Sequence, residues 1–384
     1  MIRNRVLFLL VVAAGLAALS LAFLGFAPNR LASGRAIGLA EAAGPLGLSL
    51  ILLCAALPFG AAFARQSRAT HFAALAASLV LLVVLPLIAG HTAGALVATA
   101  TPIARVSLAG GFWIIELATA LAIGDALRRL SAGLFSTAAL VIGIVALLAI
   151  AAWSGSFDEL SLAKEAANRR EAFLSETGRH AFLVTLSVLL ALVIGVPLGI
   201  AAQRRPRWHN AIFGVLDIIQ TVPSIALFGL LIGPLAALSG EFPVLRSLGI
   251  SGIGSAPAII ALVLYSLLPM ARGAYAGLAS VPVSVIETAR GMGMTQGQIL
   301  TRVEAPIALP VLLSGLRIVT VQAIGLAVVA ALIGAGGLGS FVFLGLAQRA
   351  LDLMLLGAIP TIFMALGVDF IFQLLLAAAR KSPS

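Results

Sequence analysis

Long apolar segments separated by short polar links recur along the whole chain. Most are about 20 residues long, which at about 1.5 Å per residue is enough for a helix to cross roughly 30 Å of hydrocarbon. A membrane β-barrel would instead show segments of about ten residues with alternating hydrophobicity. The pattern therefore predicts an all-α, polytopic integral membrane protein with ten transmembrane helices, at about 6–27, 46–64, 72–90, 106–127, 133–153, 181–202, 211–236, 257–277, 308–333 and 352–376.

The ten segments form two groups that differ in composition. The first five are simple Ala/Leu/Val segments, whereas the later ones carry polar and helix-breaking residues at membrane depth. Between the groups lies the polar stretch "SGSFDELSLAKEAANRREAFLSETGRH". We expect an N-terminal accessory transmembrane region over 1–155, an external polar and partly helical loop over 156–180, and a second membrane region over 181–384.

Composition supports the membrane assignment. The 384 residues are 61% hydrophobic and 10% charged, with mean hydropathy +1.15. Soluble domains carry roughly a quarter charged residues, so a water-soluble protein is excluded. The basic start before the first apolar segment resembles a signal peptide, but its apolar core exceeds the roughly 7–15 residues that such peptides use. We expect it to be a retained first helix.

The net charge of +10 reflects membrane topology and does not indicate nucleic-acid binding. Basic residues near helix ends are enriched on the cytoplasmic side. With a cytoplasmic N-terminus, alternation of the ten segments places fourteen Lys and Arg inside and nine outside. Both termini are therefore predicted to be cytoplasmic. The fourteen are Arg3, Arg5, Arg65, Arg68, Arg128, Arg129, Arg204, Arg205, Arg207, Arg272, Arg290, Arg302, Arg380 and Lys381.

Catalytic and metal-binding chemistry finds little support in the sequence. The single cysteine, Cys54, lies inside an apolar segment, and the four histidines are scattered without ligand spacing. No Ser/His constellation indicates an intramembrane enzyme. We predict no metal site, no bound cofactor and no catalytic residue in this chain.

One polar stretch interrupts the apolar second half, "ETARGMGMTQGQILTRVEAPIALP" at 287–310. We expect one short helix over 283–291 that begins near Ser284, with Glu287 closing a capping box, and a second over 295–304. Gly291 and Gly293 permit a turn between them, and Pro306 fits the first turn of the next helix. The two helices would form a knob with a charged edge and an apolar face. The predicted edge is Glu287, Arg290, Arg302 and Glu304, and the predicted face is Met292, Met294, Ile299 and Leu300.

This stretch resembles the cytoplasmic loop signature of binding-protein-dependent ABC importer permeases, Glu-Ala-Ala, three residues, Gly, nine residues, Ile-x-Leu-Pro. Glu287, Ala289, Gly293 and Pro306 match, and Val303 is a conservative match, whereas Thr288 and Ala305 depart from the usual Ala and Leu. The resemblance implies that residues 283–306, hereafter the 283–306 loop, couple to an ATPase subunit. The implied coupling residues are Glu287, Thr288, Ala289, Arg290, Gly291, Gly293, Val303 and Pro306.

Further stretches in order over 180–376 resemble the osmoprotectant branch of these permeases, in a long form with extra N-terminal helices. Among them are "DIIQTVPSIALFGLL" and "ALIGAGGLGSFVFLGL". The resemblance implies a type I permease core of five helices over 181–384, in a bacterial inner membrane, working by alternating access. Its implied solutes are glycine betaine, choline, carnitine or proline. Its implied partners are an ABC ATPase subunit that binds ATP-Mg, an external periplasmic solute-binding protein, and a second permease subunit in a homo- or heterodimer.

Two further groups of residues are candidates for the solute route. Gln220, Thr221, Pro223 and Ser224 place polar groups and a helix break about 14 Å into a predicted helix, which is tolerated beside protein or a watery cavity. We predict that they line the path, with Tyr265 as a weaker candidate; hydrogen bonding between helices is the alternative. The stretch "GAGGLG" lacks the Lys of a phosphate-binding loop. Its glycines, Gly334, Gly336, Gly337 and Gly339, are predicted to form a bend or external gate.

Intramembrane charges leave one alternative function open. Glu116 and Arg317 lie inside predicted helices, where charges are costly and often functional. An ion-coupled secondary transporter would use one of them as a coupling site, with broken helices in both halves. Glu116 otherwise suits a protonated or helix-paired carboxyl, and Arg317 is expected either to snorkel or to pair within the bundle. Asp217 and Asp369 are expected to lie near helix ends without a special role.

Overall fold

The computed structural model describes residues 2–29, 34–101, 103–247 and 249–381. Within that part, nine helices have the length and apolar composition needed to cross a membrane. The chain divides into two compact units, Met1–Asn168 and Arg169–Ser384. Two of the predicted cytoplasmic cations, Arg380 and Lys381, have side chains outside the described residues.

The first unit is a helical bundle with a small sheet at one end. Helices α1 with α2, α1 with α4, α2 with α3, and α3 with α4 pack against one another, whereas α5 is almost entirely exposed within the unit. The elements are α1 Arg5–Ser20, β1 Leu24–Ala27, β2 Arg35–Ile37, α2 Leu39–Phe63, α3 Arg68–Ala98, β3 Arg105–Leu108, α4 Gly110–Arg129, α5 Leu134–Trp153 and α6 Ser161–Asn168.

The first predicted segment, 6–27, is wrong in its second part. Helix α1 ends at Ser20 and spans only about 24 Å, and the apolar residues that follow form strand β1. This strand is the middle of an antiparallel sheet in the order β2-β1-β3, in which Leu24 pairs with Ile37 and Leu108. A short apolar run suits a buried strand as well as a helix, and here the two β-partners decide the outcome.

The links after α1, α3 and α5 meet at the sheet end of this unit. A bridge joins Val106 of β3 to Leu160, and Arg105 forms an ion pair with Glu165 of α6, at 2.7 Å. At the other end, Asn4 donates to Asp125 at 2.8 Å, and its backbone N–H donates to the carbonyl of Ala62. The three outer links of the predicted topology therefore lie together.

The second unit contains five of the nine long helices, which confirms the predicted five-helix core. Its elements are α7 Arg170–Arg204, α8 Pro206–Thr221, α9 Ser224–Glu241, α10 Pro243–Ser247, α11 Ser255–Ala279, α12 Val283–Gly291, α13 Gln296–Ile299, α14 Ala305–Val329, α15 Gly339–Ala347 and α16 Leu351–Lys381. A π-helical turn, Leu300–Glu304, joins α13 to α14, and a 3₁₀ turn, Ala330–Ile333, ends α14.

Helix α11 is the centre of this unit and packs against α7, α8, α9 and α14. Leu262, Met270 and Ala271 of α11 are fully buried, as are Val319 and Ile324 of α14. Most of the predicted polar loop over 156–180 is helical, because α6 and the first turns of α7 occupy it. The single segment predicted over 211–236 is two helices, α8 and α9, which separate at Val222 and Pro223.

Candidate functional site

The 283–306 loop is a helical hairpin, but its first helix is not capped as predicted. Helix α12 begins at Val283 after Pro282, and no side chain caps its N-terminus. The expected capping box of Ser284 and Glu287 is therefore wrong. Proline fixes its own φ near −65°, and Pro282 is the N-cap, two residues before Ser284, so Ser284 already lies inside the first turn. Glu287 is left exposed on the surface of the hairpin.

A glycine turn ends α12. Gly293 has φ +81°, the left-handed conformation that a residue with a Cβ resists, so the turn predicted here is confirmed. Its N–H donates to Arg290 O at 2.9 Å, and Met294 N–H donates to Ala289 O at 3.2 Å, which together form a Schellman motif. Gly291 remains within the helix.

The second arm runs without interruption into α14. Thr295 and Gln298 form a reciprocal capping box at the start of α13. The π-helical turn and α14 follow directly, so the second short helix predicted over 295–304 is the first part of one long helical segment. Pro306 lies in the first turn of α14, as predicted. The hairpin is thus joined to α14 by continuous helix and to α11 by three residues.

The faces of the hairpin differ from the predicted ones at two positions. Ile299, expected on the exposed apolar face, is fully buried, and Ala289 is 2% exposed. Glu304, expected on the charged edge, is also fully buried and forms an ion pair with Arg204. The exposed surface is formed by Glu287, Thr288, Arg290, Met292 and Arg302, with Val303 half-buried. Met292 is 70% exposed, so this surface offers both charge and a large apolar side chain.

The predicted path residues lie at the break between α8 and α9. Gln220 Nε2 donates to the carbonyl of Tyr265 at 2.9 Å, and the Tyr265 hydroxyl donates to the carbonyl of Val222. These two side chains therefore join α11 to the broken segment and supply the hydrogen bonding given above as the alternative. Thr221 and Pro223 are exposed in this chain, and Ser224 is half-buried. The helix is interrupted at the predicted proline, but as a break between two helices and not as a kink within one, and the path-lining role stays a prediction.

Residues 334–339, hereafter the glycine turn, connect α14 to α15. Gly334, Gly336 and Gly337 all have φ between 76° and 86°. At Gly339 a Cβ would lie 2.0 Å from Val328 O, so that glycine allows the two helices to meet. The N-terminal part of α7 packs over this turn through Glu176, Arg179 and His180. The sequence indicated the bend, but nothing in it indicated these three partners.

The intramembrane charges have different surroundings. Arg317 Nε donates to Asp369 Oδ1 at 2.5 Å, and Gln373 donates to the other Asp369 oxygen at 2.8 Å. The expectation that Asp369 has no special role is therefore wrong, because it pairs α16 with α14. In the first unit, Glu116 Oε1 is buried and has no hydrogen-bond partner within the described ranges. No role follows for Glu116 from these contacts.

Two family models match the chain. One, described as "ABC transporter permease YehY, N-terminal domain", matches residues 3–163. The other, described as "Binding-protein-dependent transport system inner membrane component", matches residues 195–381. Their division of the chain agrees with the two compact units.

Individual relatives and solved structures match about half of the chain. The carnitine transport permease protein OpuCB of Listeria monocytogenes is 41% identical over 51% of this chain and 83% of its own length. The osmoprotectant import permease protein OsmW of Salmonella typhimurium is 41% identical over 52% of this chain and 87% of its own. Among solved structures, an inward-facing MetNI methionine ABC transporter matches with 23% identity and a TM-score of 0.49, over 55% of this chain and 98% of that one.

Proposed function

This chain belongs to the family of binding-protein-dependent transport system inner membrane components, and we propose that it is the permease subunit of an ATP-driven importer of osmoprotectants. The proposal is supported by relatives that are named as permeases for carnitine, choline, glycine betaine or osmoprotectants. Glycine betaine and related quaternary amines are the solutes we favour. The chain would work in a bacterial inner membrane with both termini cytoplasmic.

The shape of the 283–306 loop is the observation that carries this proposal. Its exposed residues Glu287, Arg290 and Met292 form the free end of a hairpin whose other face, with Ala289 and Ile299, is buried. An ABC ATPase subunit that binds this end would move a compact body attached to α11 and α14. ATP-Mg would be bound and hydrolysed by that partner, and closure of the partner would drive the helices between inward- and outward-open states.

We propose that an external solute-binding protein, and not this chain, selects the solute with high affinity. A quaternary ammonium is held best by a cage of aromatic rings. Here Tyr265 is hydrogen-bonded to Val222, Tyr275 packs edge-on against Phe213, and Trp208 lies beside the guanidinium of Arg205 at 5.0 Å. A low-affinity path beside Gln220, Thr221, Pro223 and Ser224 would suffice, formed with a second permease subunit. Tight betaine binding by the purified permease alone in equilibrium dialysis would contradict this division of labour.

The function is tested by uptake of labelled betaine, choline, carnitine and proline into proteoliposomes that hold the full importer. We expect Glu287→Lys and Gly293→Trp to abolish most ATP-dependent uptake and to release or uncouple the ATPase, while the permease still inserts. Glu241→Lys is the matched control, because Glu241 is exposed at the end of α9, outside the loop. Normal uptake by both loop variants, or an equal loss in the control, would contradict the proposed docking site.

A further inference from the structure

Helix α7 is longer than a membrane crossing requires. Its 35 residues extend over about 52 Å, against roughly 30 Å of hydrocarbon. Its two ends contact different segments of the same unit. Arg204 at its C-terminal end reaches the 283–306 loop, and Glu176 near its N-terminal end reaches the glycine turn.

At the C-terminal end, the contact is a buried ion pair. The Arg204 guanidinium donates to one oxygen of Glu304, whose side chain is fully buried. The other oxygen, Oε1, has no hydrogen-bond partner among the residues that the structure describes. Removing one member of a buried pair leaves an uncompensated charge, so this contact is strongly favoured over separation.

The position of Glu304 gives the pair its importance. It is the last residue of the π-helical turn through which the hairpin enters α14. A π-turn interrupts the regular hydrogen-bond ladder of a helix, and such interruptions are frequent where helices bend or act. Arg204 therefore stabilises the π-helical turn. Without this contact, movement of the hairpin would bend the turn and would not reach α14.

At the N-terminal end, α7 holds the glycine turn. The Glu176 carboxylate accepts from the N–H of Gly337. Arg179 covers Gly336, where a Cβ would lie 2.8 Å from its Cδ, and donates to Ser255 Oγ at 3.3 Å. Side chains from a single helical turn of α7 thus contact both the glycine turn and the start of α11.

Between its ends, α7 is packed tightly against α11. A Cβ at Gly195 would lie 2.8 Å from Met270 Cγ, and one at Gly199 would lie 2.4 Å from Ala271 O. Backbones this close leave little freedom for one helix to slide along the other. The two helices can therefore move as one body.

We propose that α7 is a strut that carries movement of the 283–306 loop to the glycine turn, and that the Arg204–Glu304 pair is its attachment. Helix α14 joins the same two segments covalently, so α7 is the second member of a two-strut frame. When both α7 and α14 are fixed to the loop, movement of the loop rotates the two helices together as a rigid body. When the Arg204–Glu304 pair is broken, the π-helical turn bends instead. This proposal rests on the proposed function, because it assumes that an ATPase moves the loop. Arg204 and Glu304 are positioning residues in it.

The first test measures solute transported per ATP hydrolysed by the reconstituted importer. We expect Glu304→Gln, which keeps the side-chain shape, to lower this ratio about tenfold while the ATPase stays bound. The charge exchange Arg204→Glu with Glu304→Arg restores most of the ratio. Arg272→Gln is the control, since it breaks an exposed pair with Asp217 between α8 and α11 and is expected to leave the ratio unchanged. An unchanged ratio in Glu304→Gln overturns the proposal.

The second test follows the two ends separately by spin labelling. A label introduced by Leu332→Cys, at a half-exposed position beside the glycine turn, reports that turn, and one introduced by Gln296→Cys, at an exposed position at the start of α13, reports the loop. The native cysteine is removed by Cys54→Ala. ATP is expected to change both spectra in the otherwise unaltered importer, and only the Gln296→Cys spectrum when Glu304→Gln is added. A full response at position 332 in that background overturns the proposal. A permease that neither binds an ATPase nor responds to ATP at either label contradicts the proposed function as well.

Discussion

At the residue scale, Gly293 determines the course of the 283–306 loop. Its positive φ closes the Schellman motif that reverses the chain after α12 and brings Met294 back to Ala289. Gly291, two residues earlier, is helical and has open space where a Cβ would lie. The two glycines look alike in the sequence, but only Gly293 has a backbone conformation that requires glycine.

We expect Gly293→Ala to destabilise the chain by about 1 kcal/mol, because an L-residue pays that much in the left-handed region. Gly291→Ala, the matched control, is expected to be neutral or slightly stabilising, since alanine is favoured over glycine inside a helix. Thermal unfolding of the detergent-purified chain measures the difference. Equal melting temperatures for the two variants would show that the turn does not require a positive φ.

A pair of membrane charges also matters at this scale. Each charge of the Arg317–Asp369 pair would be costly alone in hydrocarbon, and pairing across α14 and α16 lowers that cost. Arg317 is one of the two coupling candidates of the secondary-transport alternative, the other being Glu116. The ion pair with Asp369 gives Arg317 a structural role in joining α14 to α16. Membership of the binding-protein-dependent permease family accounts for transport without an ion-coupled mechanism.

At the element scale, the contact between α7 and α11 depends on small residues at one face. A Cβ at Gly199 would lie 2.4 Å from Ala271 O and 2.7 Å from Ala274 Cβ, both closer than atoms tolerate. Ordinary helix packing leaves 8–10 Å between axes, and residues without a Cβ allow a closer approach. The same helix carries Gly178, where a Cβ would meet nothing within 4 Å.

We therefore expect Gly199→Ala to separate the two helices and to cost about 1–3 kcal/mol, the range for overpacking a tight interface. Gly178→Ala changes the same helix by the same methyl group and is expected to stabilise slightly. Unfolding of both variants in detergent or lipid, monitored by helical circular dichroism, compares them. A Gly199→Ala chain as stable as Gly178→Ala would rule out the close contact.

Sequence patterns predicted most of these elements for physical reasons that can be named. Length and hydropathy indicated the long helices, and the missing N–H of Pro223 predicted a kink at the place where α8 and α9 separate. Strand β1 was missed because its apolar run looks the same in a helix or a strand until its partners are known. The Arg204–Glu304 pair was missed because its members are 100 residues apart and no periodicity relates them. The same is true of Glu176 and Gly337.

At the scale of the whole molecule, the arrangement of links in the first unit supports the topology read from charge. The links after α1, α3 and α5 converge on the three-stranded sheet and α6, whereas the cationic ends of α1, α3 and α4 lie away from it. If successive helices cross the membrane in opposite directions, the links after α1, α3 and α5 must lie at the same end of the bundle, as they do here. By the positive-inside bias, we expect the basic end to face the cytoplasm.

Continued through the five helices of the second unit, the same alternation predicts that the 283–306 loop lies on the cytoplasmic side. We expect Met292→Cys, in a Cys54→Ala background, to react with a membrane-impermeant maleimide only after cells are opened. Asp158→Cys, exposed in the link after α5, is the matched site and is expected to react in intact spheroplasts. Both side chains are accessible in the folded chain, so with the permease produced without its ATPase the difference reports the membrane and not burial. A Met292→Cys chain labelled from outside would place the loop where no ATPase could reach it, and would overturn the coupling role and the strut together.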